Sequence, residues 1–169
     1  MLGLTALGLI HTIISLVAVA TGFYTIFRDG RIENDNRLAQ FYIWTTVLTC
    51  LTGFGIFEHG GFGKPHVLGV VTLLVIVLTF LPGQRFFGSV WRYVVTVSYS
   101  LTLFFHMIPA VTETFTRIPA RSPLFTGHDD PALQPVFGTL FFVFLVGACI
   151  QIWSLRGASK GRTRSGALG

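Results

Sequence analysis

The chain has 169 residues, a formal net charge of +5 and a mean hydropathy of +0.68; 51% of its residues are hydrophobic and only 11% are charged. Charges that avoid several long apolar runs do not describe a water-soluble core, and they predict a polytopic membrane protein. The basic excess lies in short connections and a tail, with no single interleaved basic and aromatic face. Nucleic acid is therefore excluded as a partner, and the lipid bilayer is expected instead.

The first apolar run, residues 2–27, is long enough to cross a hydrocarbon layer of ~30 Å with some tilt. Ala18-Val19-Ala20 has the small-residue pattern of a signal-peptidase site. No Lys or Arg precedes the run, however, and its apolar character continues to Arg28, so it reads as a retained span. Gly8, His11, Ser15, Ala18, Gly22 and Thr25 share one stripe of small and polar residues, the kind of face by which membrane helices approach closely. That stripe directs His11 toward protein. In the polar loop 28–37, Asp29-Gly30 is the turn signal. The second span, 38–57, has a packing face of Thr45, Thr49, Thr52 and Gly53, and Tyr42 and Trp44 are expected toward the first interface.

A Gly-rich turn, 58–65, places Pro65 in the first turn of the next helix, where its missing N–H costs nothing. The third span, 66–81, is the shortest and the most uniformly aliphatic, so lipid is expected along much of its surface, and Pro82-Gly83 ends it. The fourth span, 89–113, carries a polar stripe along its whole length: Arg92, Thr96, Tyr99, Leu103, His106, Ala110 and Glu113 fall on one helical face. In hydrocarbon that face must look inward, which makes this the helix that the others pack around and His106 a candidate site. Pro109 is expected to kink it.

The connection 114–131 holds Pro119, Pro123 and Pro131 and is expected to be either a packed cap or mobile. The fifth span, 132–155, has Gln134 and Gln151 toward its two ends and Trp153 as an interfacial anchor. The tail, 156–169, is rich in Gly, Ser and basic residues and is expected to be disordered. Cys50 and Cys149 each stand alone in apolar runs and read as inert fillers. The expected fold is all-α: one domain over 1–155, an integral membrane bundle of five transmembrane helices.

Arg28, Arg31, Arg37, Arg85, Arg92, Arg156, Lys160, Arg162 and Arg164 fall on the connections of one side, nine of the twelve basic residues, against Lys64, Arg117 and Arg121 on the other. The positive-inside rule then places the amino terminus outside and the tail in the cytoplasm, with a bacterial-type inner (plasma) membrane as the expected location. All five histidines fall in or near the outer half on this topology.

Counting along the spans at ~1.5 Å per residue sets His11 and His106 at compatible depths. Two imidazoles at one depth on different helices are the minimum for a bis-histidine b-type haem, with Arg117 and Arg121 as propionate partners and quinone as an electron-transfer partner. The competing reading is that each histidine is an interior group satisfied by a hydroxyl or a carbonyl. Glu58, His59 and His66 form a second candidate set, of donors suited to Zn or Cu, although their spacing is no metal signature and a solvated charged loop explains them as well. The chain has no nucleophile elbow, phosphate loop or His-Glu-x-x-His helix. No reaction is assigned on this basis.

With these elements placed, residues 2–81 resemble a group of small bacterial polytopic membrane proteins of unassigned activity and, loosely, b-type cytochromes. The resemblance is carried by His11, Asn36-Arg37 followed by Tyr42, Thr52-Gly53, and His66. Members often have a histidine immediately before the arginine; here that position is Asn36, which removes one candidate haem ligand. The resemblance implies a membrane location. The leading expectation is a small polytopic protein acting as an accessory or interaction subunit beside other membrane subunits, and its rival is the haem protein. A transport subunit is disfavoured, because paired broken helices and repeated halves are missing.

Overall fold

A computed structural model describes residues 5–57, 61–119 and 121–165, with side chains to residue 157. Six helices follow one another: α1 (Ala6–Asp29), α2 (Arg37–Gly53), α3 (Lys64–Phe80), the four-residue α4 (Gln84–Phe87), α5 (Val90–Arg117) and α6 (Leu133–Ser165). Among the described residues there is no strand. Local signals set most of the boundaries. Thr5 caps α1 by accepting from the Gly8 amide, and Asn36 caps α2 by accepting from the Leu38 amide. The Asp29-Gly30 signal is the end of α1: Gly30 takes a left-handed conformation (φ 76°) and its N–H returns to the Ile26 carbonyl.

The helices form a ring of four. Contacts run from α1 to α2, from α2 to α3, from α3 to α5 and from α5 back to α1, with α6 packed on the outside of α5. α2 and α5 therefore face each other across the diagonal, bridged by long side chains instead of close backbones. The middle of the ring is filled by Tyr42, Leu103, Tyr99, Ala18 and Ile43. Where α1 must come nearest, Gly22 supplies the room: a Cβ there would stand 2.8 Å from the Tyr42 ring and 3.0 Å from Leu103.

Burial is inverted relative to a water-soluble bundle. The groups that α3 buries are His66, Thr72, Ile76 and Thr79, whereas Leu74 and Val77 are exposed. α2 buries Thr45, Thr46 and Thr49 and exposes Leu48 and Leu51. An apolar exterior around a hydroxyl-lined interior is stable where the surroundings are hydrocarbon. Three helices are long and apolar enough to cross a membrane, namely Ala6–Asp29, Val90–Arg117 and Leu133–Gly157, and the protein is compatible with a membrane location on that ground.

The structure departs from the sequence expectations at several places. α2 stops at Gly53, so 54–57 is not helical, and a separate short helix, α4, occupies the connection before α5. α5 continues through Pro109 to Arg117, beyond Glu113. α6 continues to Ser165, into the tail expected to lack structure, because a helix once started gains a hydrogen bond with each added residue. Tyr42, expected toward an interface, is fully buried, since its ring meets Gly22 of α1 and its hydroxyl meets α5. Trp44, two residues on, is turned outward.

Candidate functional site

The polar stripe of α5 points into the ring, as its periodicity predicts: Thr96, Tyr99, Leu103 and His106 are all buried. Each polar member meets a particular partner. His106 Nε2 lies 3.1 Å from Thr46 Oγ1 on α2, with the His106 ring edge-on to Tyr42 at a centroid separation of 6.3 Å. Thr102 donates to its own helix at the Tyr99 carbonyl (2.8 Å), so the Tyr42 hydroxyl, 2.8 Å away, donates to Thr102 Oγ1. The Tyr99 hydroxyl donates to Asn34 Oδ1 in the α1–α2 connection and accepts from Thr79 Oγ1 of α3 at 2.8 Å. On the flank of the stripe, one turn from Thr96, Ser100 donates to Gln151 Oε1 of α6 (2.7 Å), and Gln151 Nε2 donates to the Gly30 carbonyl (3.1 Å). A column of hydroxyls, amides and one imidazole thus ties α5 to α2, α3, α6 and the first connection.

His11 is held separately. Thr52 donates its hydroxyl hydrogen to the Leu48 carbonyl (2.8 Å), so its oxygen accepts from His11 Nδ1–H at 3.0 Å. The same imidazole rests on Gly53, where an added Cβ would lie 3.1 Å from His11 Cε1. This arrangement orients the ring and leaves Nε2 with its lone pair.

The two span histidines are anchored to different levels of α2. Thr46 and Thr52 are six residues apart, which is about 9 Å along the axis and about 120° around it. Their anchors are therefore offset along α2, where the count along the spans expected one depth. That count ran from Glu113, and α5 extends four residues farther, to Arg117. As to the residues expected near haem propionates, Arg117 donates to Glu113 Oε2 (2.6 Å), and Arg121 is exposed.

Of the second candidate set, Glu58 and His59 lie outside the described residues. His66 is buried, 6% exposed, between the rings of Phe57 and Phe62 at 5.1 and 5.0 Å. Its Nδ1 accepts from the Gly63 amide at 3.2 Å, capping α3, so the neutral ring carries its hydrogen on Nε2, which is buried and has no hydrogen-bond partner among the described residues. In that state neither nitrogen offers a free lone pair to a metal. Among the described residues, no group of three or more His, Cys, Asp and Glu converges as a metal set would.

The connection between α5 and α6 is a packed cap. Glu113 takes Arg117 on one carboxylate oxygen and His128 Nε2 on the other (2.8 Å), which pins the connection to the end of α5. Phe125 packs edge-on against Phe115, and its amide donates to the Phe115 carbonyl. Asp130 accepts from the Thr126 and Ala132 amides, and these bonds hold its carboxyl below the ordinary range.

Sequence reasoning turned the polar stripe of α5 inward, with His106 on it. It missed Thr46, Asn34 and Gln151 as partners, since nothing in a lone threonine, asparagine or glutamine says which helix it will face. No family model, no curated protein and no solved structure matches the chain.

Proposed function

We propose that the protein is a five-span integral membrane protein in which α1, α2, α3, α5 and α6 cross the bilayer, with the amino terminus outside and the tail in the cytoplasm of a bacterial-type cell. It serves as an accessory subunit that presents apolar helix faces to neighbouring membrane proteins, and its interior polar groups hold the bundle together. The observation that carries this reading is the mutual satisfaction of the interior: His106 with Thr46, Tyr42 with Thr102, Tyr99 with Thr79 and Asn34, and Ser100 with Gln151. Groups so committed provide cohesion between helices. α2 and α3 are 17 residues each, short of the ~20 of a full span. They share the slab with α1 and α5 because they complete the ring between them, and the apolar residues 54–57 lengthen α2's path.

The topology is read by fusions. A reporter after Gly169 should behave as cytoplasmic and one inserted near Pro123 as external, because nine of the twelve basic residues lie on the tail's side. The opposite pattern would overturn the orientation.

A second reading, a b-type haem protein with His11 and His106 as axial ligands and quinone as partner, draws on one observation. The Nδ1–H of His11 is anchored on the Thr52 hydroxyl, the kind of hydrogen bond that orients a ligating imidazole, and Nε2 is left available. It requires His106 Nε2 to leave Thr46, whose level on α2 is about 9 Å from that of Thr52. Oxidised and dithionite-reduced spectra of detergent-purified protein decide between them. The accessory reading expects no Soret band in protein expressed with ample haem, and a loss of about 1 kcal/mol in His106→Ala, the usual size of an interhelical bond in lipid. A low-spin b-type spectrum that disappears in His11→Ala and in His106→Ala would establish the haem reading instead.

A further inference from the structure

At the inner end of the ring, where α3 turns through Pro82-Gly83 into α4, two cavities adjoin. One, of about 330 Å³, is lined by polar side chains of Asn34, Thr79, Gln84 and Arg85. The other, of about 190 Å³, is lined by Leu78, Phe86 and Phe87. They share Leu81, Pro82 and Trp91 as a common wall, so a polar compartment lies directly beside an apolar one. Gly83 makes this wall, since a Cβ there would run into the Trp91 indole.

The floor of the polar compartment is already committed. Thr79 and Asn34 are bonded to the Tyr99 hydroxyl, which fixes their positions. The groups left to meet a ligand are Gln84 and Arg85. Arg85 is exposed, and it has no acidic or hydrogen-bonding partner among the described residues, whereas Arg31 in the facing connection is paired with Glu33. The exposed Phe86 and Phe87 place α4 where aromatic rings sit, at the boundary between headgroups and acyl chains.

We infer that this corner binds an anionic phospholipid, with its phosphate on Arg85 and the start of one acyl chain in the cleft beside Trp91. The inference rests on the membrane reading above. A planar guanidinium without a partner matches a phosphate in two-point geometry, and basic pockets on the cytoplasmic face are where anionic headgroups are held. A free phosphate would satisfy Arg85 but leave the apolar cleft empty, and a zwitterionic lipid would fill the cleft while bringing its own cation to the phosphate.

The test uses the full chain with Trp44→Phe and Trp153→Phe, so that Trp91 alone reports, in neutral detergent micelles. Phosphatidylglycerol brominated on its acyl chains should quench Trp91 at a concentration at least about tenfold lower than equally brominated phosphatidylcholine, the discrimination expected of one charge-assisted contact. Arg85→Gln should raise the phosphatidylglycerol midpoint to that of phosphatidylcholine, and Arg121→Gln, at the opposite end of the molecule, should not move it. Equal midpoints for the two lipids, or an unchanged midpoint in Arg85→Gln, would overturn the site. Inorganic phosphate displacing phosphatidylglycerol as effectively as unbrominated phosphatidylglycerol does would make it an anion site and overturn the lipid. A protein that stays dispersed without detergent would instead overturn the membrane reading beneath it.

Discussion

Gly22→Leu should abolish recovery of folded protein from detergent, and Gly22→Ala should cost on the order of 1 to 3 kcal/mol, the usual size of overpacking a filled interior. The reason is positional. A single added methyl group at residue 22 would lie 2.8 Å from Tyr42 Cε2 and 2.9 Å from Cδ2, well inside contact distance, and 3.0 Å from Leu103. Tyr42 cannot swing aside, because its hydroxyl is fixed on Thr102 and its ring is closed in by His106. The strain must then be relieved by moving α1 away from α2 and α5 together, which opens the two contacts that close the ring. Gly53→Ala should be milder, since its Cβ would stand 3.1 Å from His11 Cε1 and 3.6 Å from Nδ1, a smaller overlap than the one at Gly22. Gly147→Ala on α6 meets nothing within 4 Å and should be neutral or gain up to about 1 kcal/mol in helix propensity. The measurement is the detergent-resistant folded fraction by size exclusion, with reversible unfolding for the alanine variants. Equal losses at Gly22 and Gly147 would mean that the α1–α2–α5 junction is not where the packing is tightest.

The periodicity of α5 made this junction partly legible. A polar stripe through an apolar helix has to face inward, and four of its members, Thr96, Tyr99, Leu103 and His106, are buried as that argument requires. The small-residue stripe of α1 was equally readable, with Gly8, Ala18, Gly22 and Thr25 all buried. Residues whose position depends on a partner were not readable. Tyr42 looks interfacial by residue type, and only the pairing of Gly22 with its ring draws it to the centre. The end of α5 also escaped, because ends are what local sequence fixes least. Four extra residues place His106 about 6 Å farther from the end of its helix than the count from Glu113 gave. The cavity beside Trp91 was not foreseen at all, since it arises where α4 and Trp91 meet, and α4 is too short to leave a periodic signal.

Tyr42→Ala should cost about 3 to 5 kcal/mol, the range for truncating a large buried ring, and Tyr42→Phe should cost about 1 kcal/mol or less. The contrast separates two contributions that meet in one side chain. The hydroxyl donates to Thr102, which keeps its own bond to the Tyr99 carbonyl after the hydroxyl is removed, so Thr102 is not left with an unused donor. The ring does more, because it fills the diagonal between α2 and α5, where the two backbones do not approach closely enough to pack by themselves. In hydrocarbon the gain from burying apolar surface against water is missing for helices already inserted, so the loss in Tyr42→Ala is one of contacts around a void, with α1, α2 and α5 each losing a neighbour. Reversible unfolding in mixed micelles measures both variants, and the double replacement Tyr42→Phe with Thr102→Val measures their coupling. If Tyr42→Phe proved as damaging as Tyr42→Ala, the hydroxyl column and not the packed ring would be what holds the diagonal, and Thr102→Val alone should then reproduce the loss.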